Sequence, residues 1–234
     1  MNQKERETEL TVLLPCLNEE ANLPSVISRC YESFHKLNIS GEILVADNGS
    51  TDRSREVARK LGARVIDVAE RGYGAALRAG IVNSSSPVVA MADCDDTYEV
   101  ENLGLFLNKL SEGYDLVIGN RFTGKIEPGA MPWLHRHLGN PILSWIGNFL
   151  YGTDGLDYHC GLRVFNRNSM IKLDLKSSGF EFASEMICKA AKEDCRISQV
   201  PTTLRKSGSF RESHLRTWSD GWRHLKFLVV FRFQ

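Results

Sequence analysis

The first half of the chain alternates between short apolar runs and longer stretches that carry apolar residues at helical spacing. The runs cover residues 11–15, 42–47, 63–68, 87–93 and 116–122. Their length and their content of Val, Ile and Leu are typical of buried strands. The pattern therefore predicts five strands that are covered on both faces.

The segments between these runs are predicted to be helices. Residues 18–37 carry apolar residues at intervals of three and four, namely Leu23, Val26, Ile27, Cys30, Phe34 and Leu37. A second helix is predicted over 53–61, and the small-residue segment 71–84 predicts a glycine turn that leads into a third. Strands separated by helices form βαβ units, so we expect an α/β fold with a mostly parallel central sheet flanked by helices.

The second half has a less regular pattern. Residues 124–157 mix Pro, Gly, Trp and His around a helical stretch at 142–150. A strand is predicted at 160–165, a helix at 182–192 and another strand at 195–201. The sequence has neither an internal repeat nor an obvious linker, so we expect one domain over residues 1–234.

Polar residues follow three of the apolar runs at the point where each run ends. Asn18 and Glu19 follow the first, Asp47 and Asn48 the second, and residues 93–96 the fourth. In open parallel sheets ligands bind beyond the carboxyl ends of the strands. The three clusters therefore predict a binding site at that edge.

The fourth cluster contains Asp93, Asp95 and Asp96. Two carboxylates this close repel each other unless a cation lies between them, and oxygen ligands suit Mg²⁺ or Mn²⁺. A metal held by few carboxylates keeps positions open for diphosphate oxygens, as a reaction with a nucleoside diphosphate leaving group requires. The alternative is a solvated acidic turn that caps the next helix.

Charge and composition narrow the choice of partner. Lys and Arg together number 29, as do Asp and Glu, so no nucleic-acid partner is expected. Residues 205–232 are locally basic, and any anionic partner is expected there. The six cysteines show no metal-binding spacing and are expected to be free thiols. We find no signal peptide and no run of about 20 apolar residues, which favours a cytoplasmic protein.

Four segments, read in order, resemble glycosyltransferase family 2, whose members have the GT-A fold. They are PCLNEE at 15–20, VADNGSTD at 45–52, RGYGAALRAGI at 71–81 and MADCDD at 91–96. The later segments GNRF, DYHCGLRVF and ISQVPTTL are similar to the polyprenyl-phosphate branch, which includes the dolichol-phosphate mannose and glucose synthases. The resemblance implies a nucleotide-sugar-binding half at about 10–122, an acceptor half at about 123–204 and a membrane-proximal tail at about 205–234.

The resemblance also implies roles on the donor side. The residues that would contact the nucleotide-sugar are Pro15, Leu17, Glu19, Asp47, Asn48, Gly72, Asp93 and Cys94. Asp95 would hold the metal against the diphosphate, with Asp93 and Asp96 as further ligands. Three positions depart from the family: Leu17 replaces an aromatic residue, Asn48 replaces a second Asp, and Thr97 replaces an amide side chain found in close relatives.

On the acceptor side we expect cations. A lipid phosphate is largely ionised at neutral pH, so it needs positioning more than a base. Arg121 is the first candidate, with a structural ion pair as its alternative, and Arg136, Arg211 and Arg216 follow, with ordinary surface charges as theirs. Asp157 is expected near the reaction centre, as a group that orients the acceptor or as a base; a turn or cap residue is the alternative. The sequence does not decide whether the side chain of Glu185 faces the site or the solvent.

The C-terminal segment interleaves aromatic and basic residues. This composition suits the surface of an anionic membrane, and the alternative is a packed terminal helix. The resemblance implies inverting transfer of a sugar from UDP-glucose or GDP-mannose type donors to a polyprenyl phosphate, and with this tail we expect it on the cytosolic membrane face. A soluble sugar, glycan or small phosphorylated acceptor is the second hypothesis, and a non-enzymatic binding domain the third. Whether the protein forms a homo-oligomer is left open.

Overall fold

The computed structural model describes residues 8–207 and 217–233. Its centre is a seven-stranded sheet with the order β3-β2-β1-β4-β6-β5-β7. The strands are β1 (Leu10–Cys16), β2 (Gly41–Asp47), β3 (Arg64–Asp67), β4 (Val88–Met91), β5 (Leu116–Ile126), β6 (Arg163–Asn166) and β7 (Ile197–Leu204). All five strands predicted in the first half are present, and the predicted α/β fold class is confirmed.

The sheet is mostly parallel. β1 pairs in parallel with β2 and with β4, so Leu13 lies between Leu44 and Met91. Within the described part of the chain only β6 is reversed, and it pairs antiparallel with both β4 and β5. Because β1, β2 and β4 are neighbours that point the same way, their carboxyl ends meet at one edge.

Helices cover both faces of the sheet. They are α1 (Leu23–Leu37), α2 (Ser54–Lys60), α3 (Tyr73–Asn83), α4 (Leu103–Ser111), α5 (Asn140–Tyr151), α6 (Arg167–Lys172), α7 (Phe182–Lys192) and α8 (Thr217–Arg232). A 3₁₀ turn at Val100–Asn102 precedes α4, and a π-helical turn at His135–Gly139 precedes α5. None of the described helices is both long enough and apolar enough to cross a membrane.

Two predicted boundaries were wrong for physical reasons. The first helix begins at Leu23 instead of residue 18, because Asn18 has φ 56° and residues 18–22 form a turn at the sheet edge. The strand predicted at 160–165 begins only at Arg163. Cys160 lies instead in a turn, where its amide donates to the carbonyl of Asp157 at 3.3 Å. In both places, residues that the apolar pattern assigned to a helix or a strand form turns at the edge of the sheet instead.

The core lies on both faces of the central strands. Leu13, Leu14 and Leu44 are fully buried, and α3 packs closely enough on β1 that a methyl group at Gly80 would overlap Leu13. This close packing brings the beginning of α3 to the carboxyl ends of β1 and β2. The glycine turn before α3 thereby reaches the edge where the predicted site lies.

Candidate active site

A cavity of about 500 Å³ opens at the carboxyl ends of β1, β2 and β4. The predicted site residues that line it come from five separate segments of the sequence. The predicted site residues among those that line it are Pro15, Leu17, Glu19, Asn48, Gly72, Asp93, Cys94, Asp95 and Arg121. Residues that are more than 100 positions apart in the sequence therefore line one continuous cavity, as expected from the positions at which the strands end.

Asp47 and Asn48 end β2, but they play different parts. The carboxylate of Asp47 is buried and accepts the amides of Gly49 at 3.0 Å and Ser50 at 3.1 Å, so it holds the turn itself. The side chain of Asn48 bridges to the next loop: its amide donates to the Glu70 carbonyl at 2.6 Å, and its oxygen accepts the amide of Gly72 at 2.7 Å. Asn48 lines the cavity, whereas Asp47 lies behind it.

Gly72 begins the wall formed by α3. Its φ is 130°, and an added methyl group would overlap the carbonyl oxygen of Ser178, so only glycine fits there. Beside it, the guanidinium of Arg71 donates to the carbonyls of Asn48 and, at 3.1 Å, Gly49. The loop thus sets a cation at the rim of the cavity next to the turn that follows β2.

Asp93 lies at the floor of the cavity. Its carboxylate accepts a hydrogen bond from the Tyr73 hydroxyl at 2.8 Å, and the ring of Tyr73 stacks on Phe180 at 5.1 Å. On the other side Gly161 approaches so closely that a methyl group there would overlap the Asp93 carboxylate. Burial raises the pKa of Asp93 to about 7, and the negative charge of Asp95 adds to this effect.

Asp95 faces the same cavity two residues later. Its Oδ1 atom accepts both the amide of Thr97 at 3.2 Å and the Thr97 hydroxyl at 2.6 Å. Burial raises the pKa of Asp95, and the Thr97 hydrogen bonds partly offset this. Thr97, where close relatives have an amide, therefore fixes the orientation of the carboxylate.

Asp96 is turned away from this pair. Its φ is 61°, and its carboxylate binds Arg29 at 2.9 Å and the Ser25 hydroxyl at 2.7 Å, both on α1. It is absent from the side chains that line the cavity within the described part of the chain. The three aspartates predicted as metal ligands are thus divided into a pair that faces the cavity and one that ties its loop to α1.

The Asp93–Asp95 pair suits a divalent cation. The charge of Asp95 raises the pKa of Asp93, and a hard cation between these two partly buried carboxylates would remove the repulsion. Among the described residues no three His, Cys, Asp or Glu side chains lie close enough to hold a metal by themselves. This donor set fits a cation that shares its coordination with the phosphates of a bound nucleotide.

Arg121 and Asp157 form a buried pair on the far side of the cavity. Arg121 Nε donates to Asp157 Oδ2 at 2.7 Å, and Arg121 Nη2 donates to Oδ1 at 2.9 Å. Arg121 lines the cavity and is only 6% exposed, while Asp157, at 1%, lies behind it. Burial opposes the charged form, but the Asp157 carboxylate raises the pKa of Arg121, so the guanidinium stays charged.

The other predicted acceptor residues lie elsewhere. Arg136 is on the π-helical turn before α5 and does not line the cavity. Arg211 and Arg216 lie outside the described residues. Glu185 is buried on α7, where it accepts the amides of Lys176 at 2.8 Å and Ser177 at 2.7 Å, so it supports the loop opposite Gly72.

The family assignment follows from comparison with known proteins. The family model described as Glycosyl transferase family 2 matches residues 11–174, which include strands β1 to β6 apart from Leu10 and leave out β7. This chain belongs to glycosyltransferase family 2. The resemblance carried by the four sequence motifs is therefore confirmed.

Curated relatives agree with this membership in glycosyltransferase family 2. The low-salt glycan biosynthesis hexosyltransferase Agl6 of Haloferax volcanii is 40% identical over 94% of this chain, which spans 53% of the length of Agl6. The glycosyltransferase AglJ of the same organism is 36% identical over 94% of this chain and 70% of its own. The dolichyl-phosphate hexose transferase of that organism is 34% identical over 85% of this chain and 83% of its own.

A solved structure shows the same fold, which is GT-A. Glucosyl-3-phosphoglycerate synthase from Mycobacterium tuberculosis, crystallised with Mn²⁺, UDP and glucosyl-3-phosphoglycerate, superposes with a TM-score of 0.72. The match covers 96% of this chain and 80% of that one, at 22% identity. At this identity the similarity shows the fold alone.

Several side chains that shape the site in this family 2 member were not predicted. Arg71 and Tyr73 lie in the segment RGYGAALRAGI and line the cavity. Their positions beside two glycines are the sequence feature that could have identified them as site residues. Arg163 is fully buried and donates to the carbonyls of Tyr158 at 2.9 Å, Cys160 at 3.0 Å and Ala183 at 2.7 Å. It therefore fixes the turn before β6, a role that no local sequence pattern reveals.

Two histidines also line the cavity. The rings of His159 and His224 meet edge to face with centroids 4.6 Å apart, and His224 comes from α8. Burial, and then the proximity of His224, lowers the pKa of His159 well below its usual value. His159 is therefore neutral at physiological pH, and α8 contributes directly to the wall of the cavity.

Proposed function

We propose that this protein transfers a hexose from a nucleoside diphosphate sugar to a polyprenyl phosphate, with inversion at the anomeric carbon. The observation that carries the proposal is the division of charge within the cavity. Among the described residues the lining carboxylates are Glu19, Asp93 and Asp95, at the ends of β1 and β4. Two arginines also line it: Arg71, at the rim beside the turn after β2, and Arg121, which comes from β5 and is paired with Asp157.

The carboxylate side suits the donor. We propose that Asp93 and Asp95 hold a divalent cation together with the diphosphate, and that Pro15, Leu17, Glu19, Asn48, Gly72 and Cys94 form the walls around the nucleotide. When bound, Mg²⁺ or Mn²⁺ would supply positive charge to the departing diphosphate oxygens. Tyr73 and Thr97 orient the two carboxylates through the hydrogen bonds described above.

The cationic side suits an acceptor that is already charged. A phosphate monoester, with a second pKa near 6, is largely a dianion at neutral pH and attacks without a general base. Arg121 presents a charged guanidinium to such a group. Asp157 has both oxygens bound by Arg121, and we propose that it positions this arginine instead of removing a proton.

The relatives favour a lipid as the carrier of that phosphate. The Haloferax protein named dolichyl-phosphate hexose transferase is among the curated proteins most similar along both chains, with coverages of 85% and 83%. The basic and aromatic C-terminal segment agrees with action at a membrane surface. We therefore propose a peripheral location on the cytosolic membrane face.

A small phosphorylated acceptor is the second candidate. Arg121 would recognise the phosphate of a soluble metabolite as well as that of a lipid, because the guanidinium contacts only the phosphate. This second candidate is supported by a protein of the same fold, glucosyl-3-phosphoglycerate synthase, which was crystallised with glucosyl-3-phosphoglycerate. The two candidates differ in what surrounds the phosphate, so they can be separated by experiment.

The test uses radiolabelled UDP-glucose and GDP-mannose with a short-chain polyprenyl phosphate and either Mg²⁺ or Mn²⁺. Label that moves into the organic phase supports the proposal, and label that remains aqueous with every donor and metal contradicts it. A parallel reaction with 3-phosphoglycerate identifies the second candidate if labelled product forms there alone. Asp95→Asn provides the matched inactive control.

A further inference from the structure

The outward face of α5 is unusual for a helix at a protein surface. Its exposed side chains are Ile142, Trp145 and Phe149, which are 50%, 67% and 75% exposed. A helix that covers a core normally presents polar residues to water on this side. Here Ser144 and Gly147 are buried, and Ile146, Leu150 and Tyr151 are half-buried and pack on the core. The outer side is nevertheless large and apolar as well.

The apolar face continues into the π-helical turn before α5. Leu134 and Leu138 are 37% and 43% exposed and precede Ile142 at intervals of four residues. At about 100° per residue, Leu138, Ile142, Trp145 and Phe149 lie within about 60° of one another around the helix axis. The rings of Trp145 and Phe149 stack on this face with their centroids 5.9 Å apart.

α8 extends the same surface. It packs against α5, where the Tyr151 hydroxyl donates to the carbonyl of Leu228 at 2.9 Å. Leu228 and His224 are buried, while Trp222 and Phe233, on the other side of the helix, are 65% and 82% exposed. We call the exposed apolar side chains of residues 134–149 and 222–233 together the α5–α8 face.

Within the two segments that form the α5–α8 face, the charged side chains have one sign, although Glu181, just before α7, shares a surface pocket with Arg223 and Lys226. The sequence contains no acidic residue between Glu127 and Asp154, a stretch that includes His135, Arg136 and His137. Residues 221–233 also lack acids and include Arg223, Lys226 and Arg232, which are exposed. Over the whole chain the charges balance, so this surface is locally cationic in an otherwise neutral protein.

We propose that the α5–α8 face lies on the surface of an anionic lipid bilayer. Exposed tryptophan and phenylalanine side chains partition into the headgroup region, and adjacent cations bind anionic lipid headgroups. A second copy of this chain is a less suitable occupant, because pairing of two such faces would bring their cations together. The inference extends the proposed membrane contact from the C-terminal tail to α5, and it does not require the acceptor to be a lipid.

The test is sedimentation of the full chain with two kinds of vesicle. One contains phosphatidylcholine alone, and the other also contains about 30% phosphatidylglycerol. The variant Ile142→Ser/Trp145→Ser/Phe149→Ser removes the exposed apolar side chains of α5. We expect its binding to anionic vesicles to weaken about tenfold or more, because three large side chains no longer transfer from water. Binding by the parent chain should also weaken as salt is raised.

The matched control is Val82→Ser/Leu105→Ser, which removes exposed apolar side chains from α3 and α4, where they are 57% and 54% exposed. Unchanged binding in this control and weakened binding in the α5 variant support the proposal. Equal binding by the α5 variant and the parent chain would overturn it. Failure of the parent chain to bind anionic vesicles, with concentration-dependent dimers that the α5 variant abolishes, would overturn it in favour of self-association.

Two further measurements separate this inference from the proposed function. UDP binding by calorimetry shows whether the α5 variant is folded, since the donor residues lie at the other end of the cavity. Transfer to a short-chain polyprenyl phosphate without vesicles tests the proposed function alone. Vesicle binding without transfer to any polyprenyl phosphate would support the membrane role of the α5–α8 face and refute the lipid acceptor. Transfer without vesicle binding would support the lipid acceptor and refute the membrane role of that face.

Discussion

Arg121 and Asp157 are joined by two parallel hydrogen bonds of 2.7 and 2.9 Å, and both side chains are buried. A guanidinium held in this way keeps its plane fixed while one edge faces the cavity. The arrangement offers an acceptor phosphate a rigid cation at the cost of burying its counter-charge. Substitution of either residue of this pair therefore has its own expected outcome.

We predict that Asp157→Asn lowers the free energy of unfolding by about 3 kcal/mol, because it leaves the buried Arg121 charge without its partner. Turnover should fall as well, since the guanidinium loses its orientation. The pH dependence of kcat/KM should keep its shape, because Asp157 does not exchange a proton with the acceptor. Loss of one limb of the pH–rate profile in this variant would instead identify Asp157 as the base.

Arg121→Lys keeps the positive charge and removes the bidentate geometry. We expect KM for the phosphate acceptor to rise about tenfold or more, while affinity for the nucleotide donor changes little. Steady-state kinetics with each substrate varied in turn would measure this. An equal loss for donor and acceptor would contradict the assignment of Arg121 to the acceptor side.

Asp95→Asn should lower kcat by about 10² or more, because removal of one carboxylate from the Asp93–Asp95 pair weakens the hold on the cation that stabilises the leaving group. Asp96→Asn is the matched control from the same loop. Its carboxylate binds Arg29 and Ser25 on α1, so its rate should stay within about threefold of the parent enzyme and its stability should fall by no more than about 1 kcal/mol. Similar losses in the two variants would refute the division of the cluster.

Gly161→Ala tests the close approach behind Asp93. The added methyl group would overlap the Asp93 carboxylate, so we expect weaker binding of UDP in the presence of Mn²⁺ while the fold is kept. Isothermal titration calorimetry and a thermal melt would measure the two effects. Gly221→Ala is the control, because no atom lies within 4 Å of the position its methyl group would take. Wild-type UDP affinity in Gly161→Ala would show that the Asp93 carboxylate can shift freely.

Glu42 gives a prediction for stability against pH. Burial alone would raise its pKa, but hydrogen bonds from Arg64, Ser85 and Thr11 lower it to about 2. Since the pKa is depressed in the folded state, the carboxylate stabilises the protein above the unfolded pKa of about 4.3, and this contribution is lost as pH falls toward 2. Allowing for partial solvent screening, Glu42→Gln should cost about 1–2 kcal/mol at pH 7 and little at pH 2.5. Urea unfolding at both pH values, with Glu112→Gln as an exposed control, would measure it; an equal cost at both would contradict the charge-based account.

The sequence predicted the donor side of the site better than the acceptor side. Glu19, Asn48 and Asp93 follow strands whose apolar runs are easily recognised, and the parallel order of those strands brings their ends together. The orientation of Asp96 could not be predicted, because it depends on a positive φ and on contacts with α1. Asp95 and Asp96, which are adjacent in the sequence, therefore face opposite directions.

On the acceptor side the determining contacts are non-local. Arg121 and Asp157 are 36 residues apart, and their pairing requires β5 and the turn before β6 to lie side by side. Arg163 is fully buried in a position that an apolar pattern assigns to a strand interior, and it is stabilised there only by three carbonyls from folded segments. Helices α4 and α6 were not predicted from the sequence either.

The reversed strand β6 has a consequence for how this fold can diversify. Because β6 runs against β4 and β5, the segment that enters it arrives at the same edge where the parallel strands end. Residues 157–161, which include Asp157, His159 and Gly161, belong to that entering segment. Insertions or substitutions there can remodel one wall of the cavity while the loops after β1 and β2 keep their form. Descendants of a common ancestor could therefore exchange one acceptor for another while they retain the same donor.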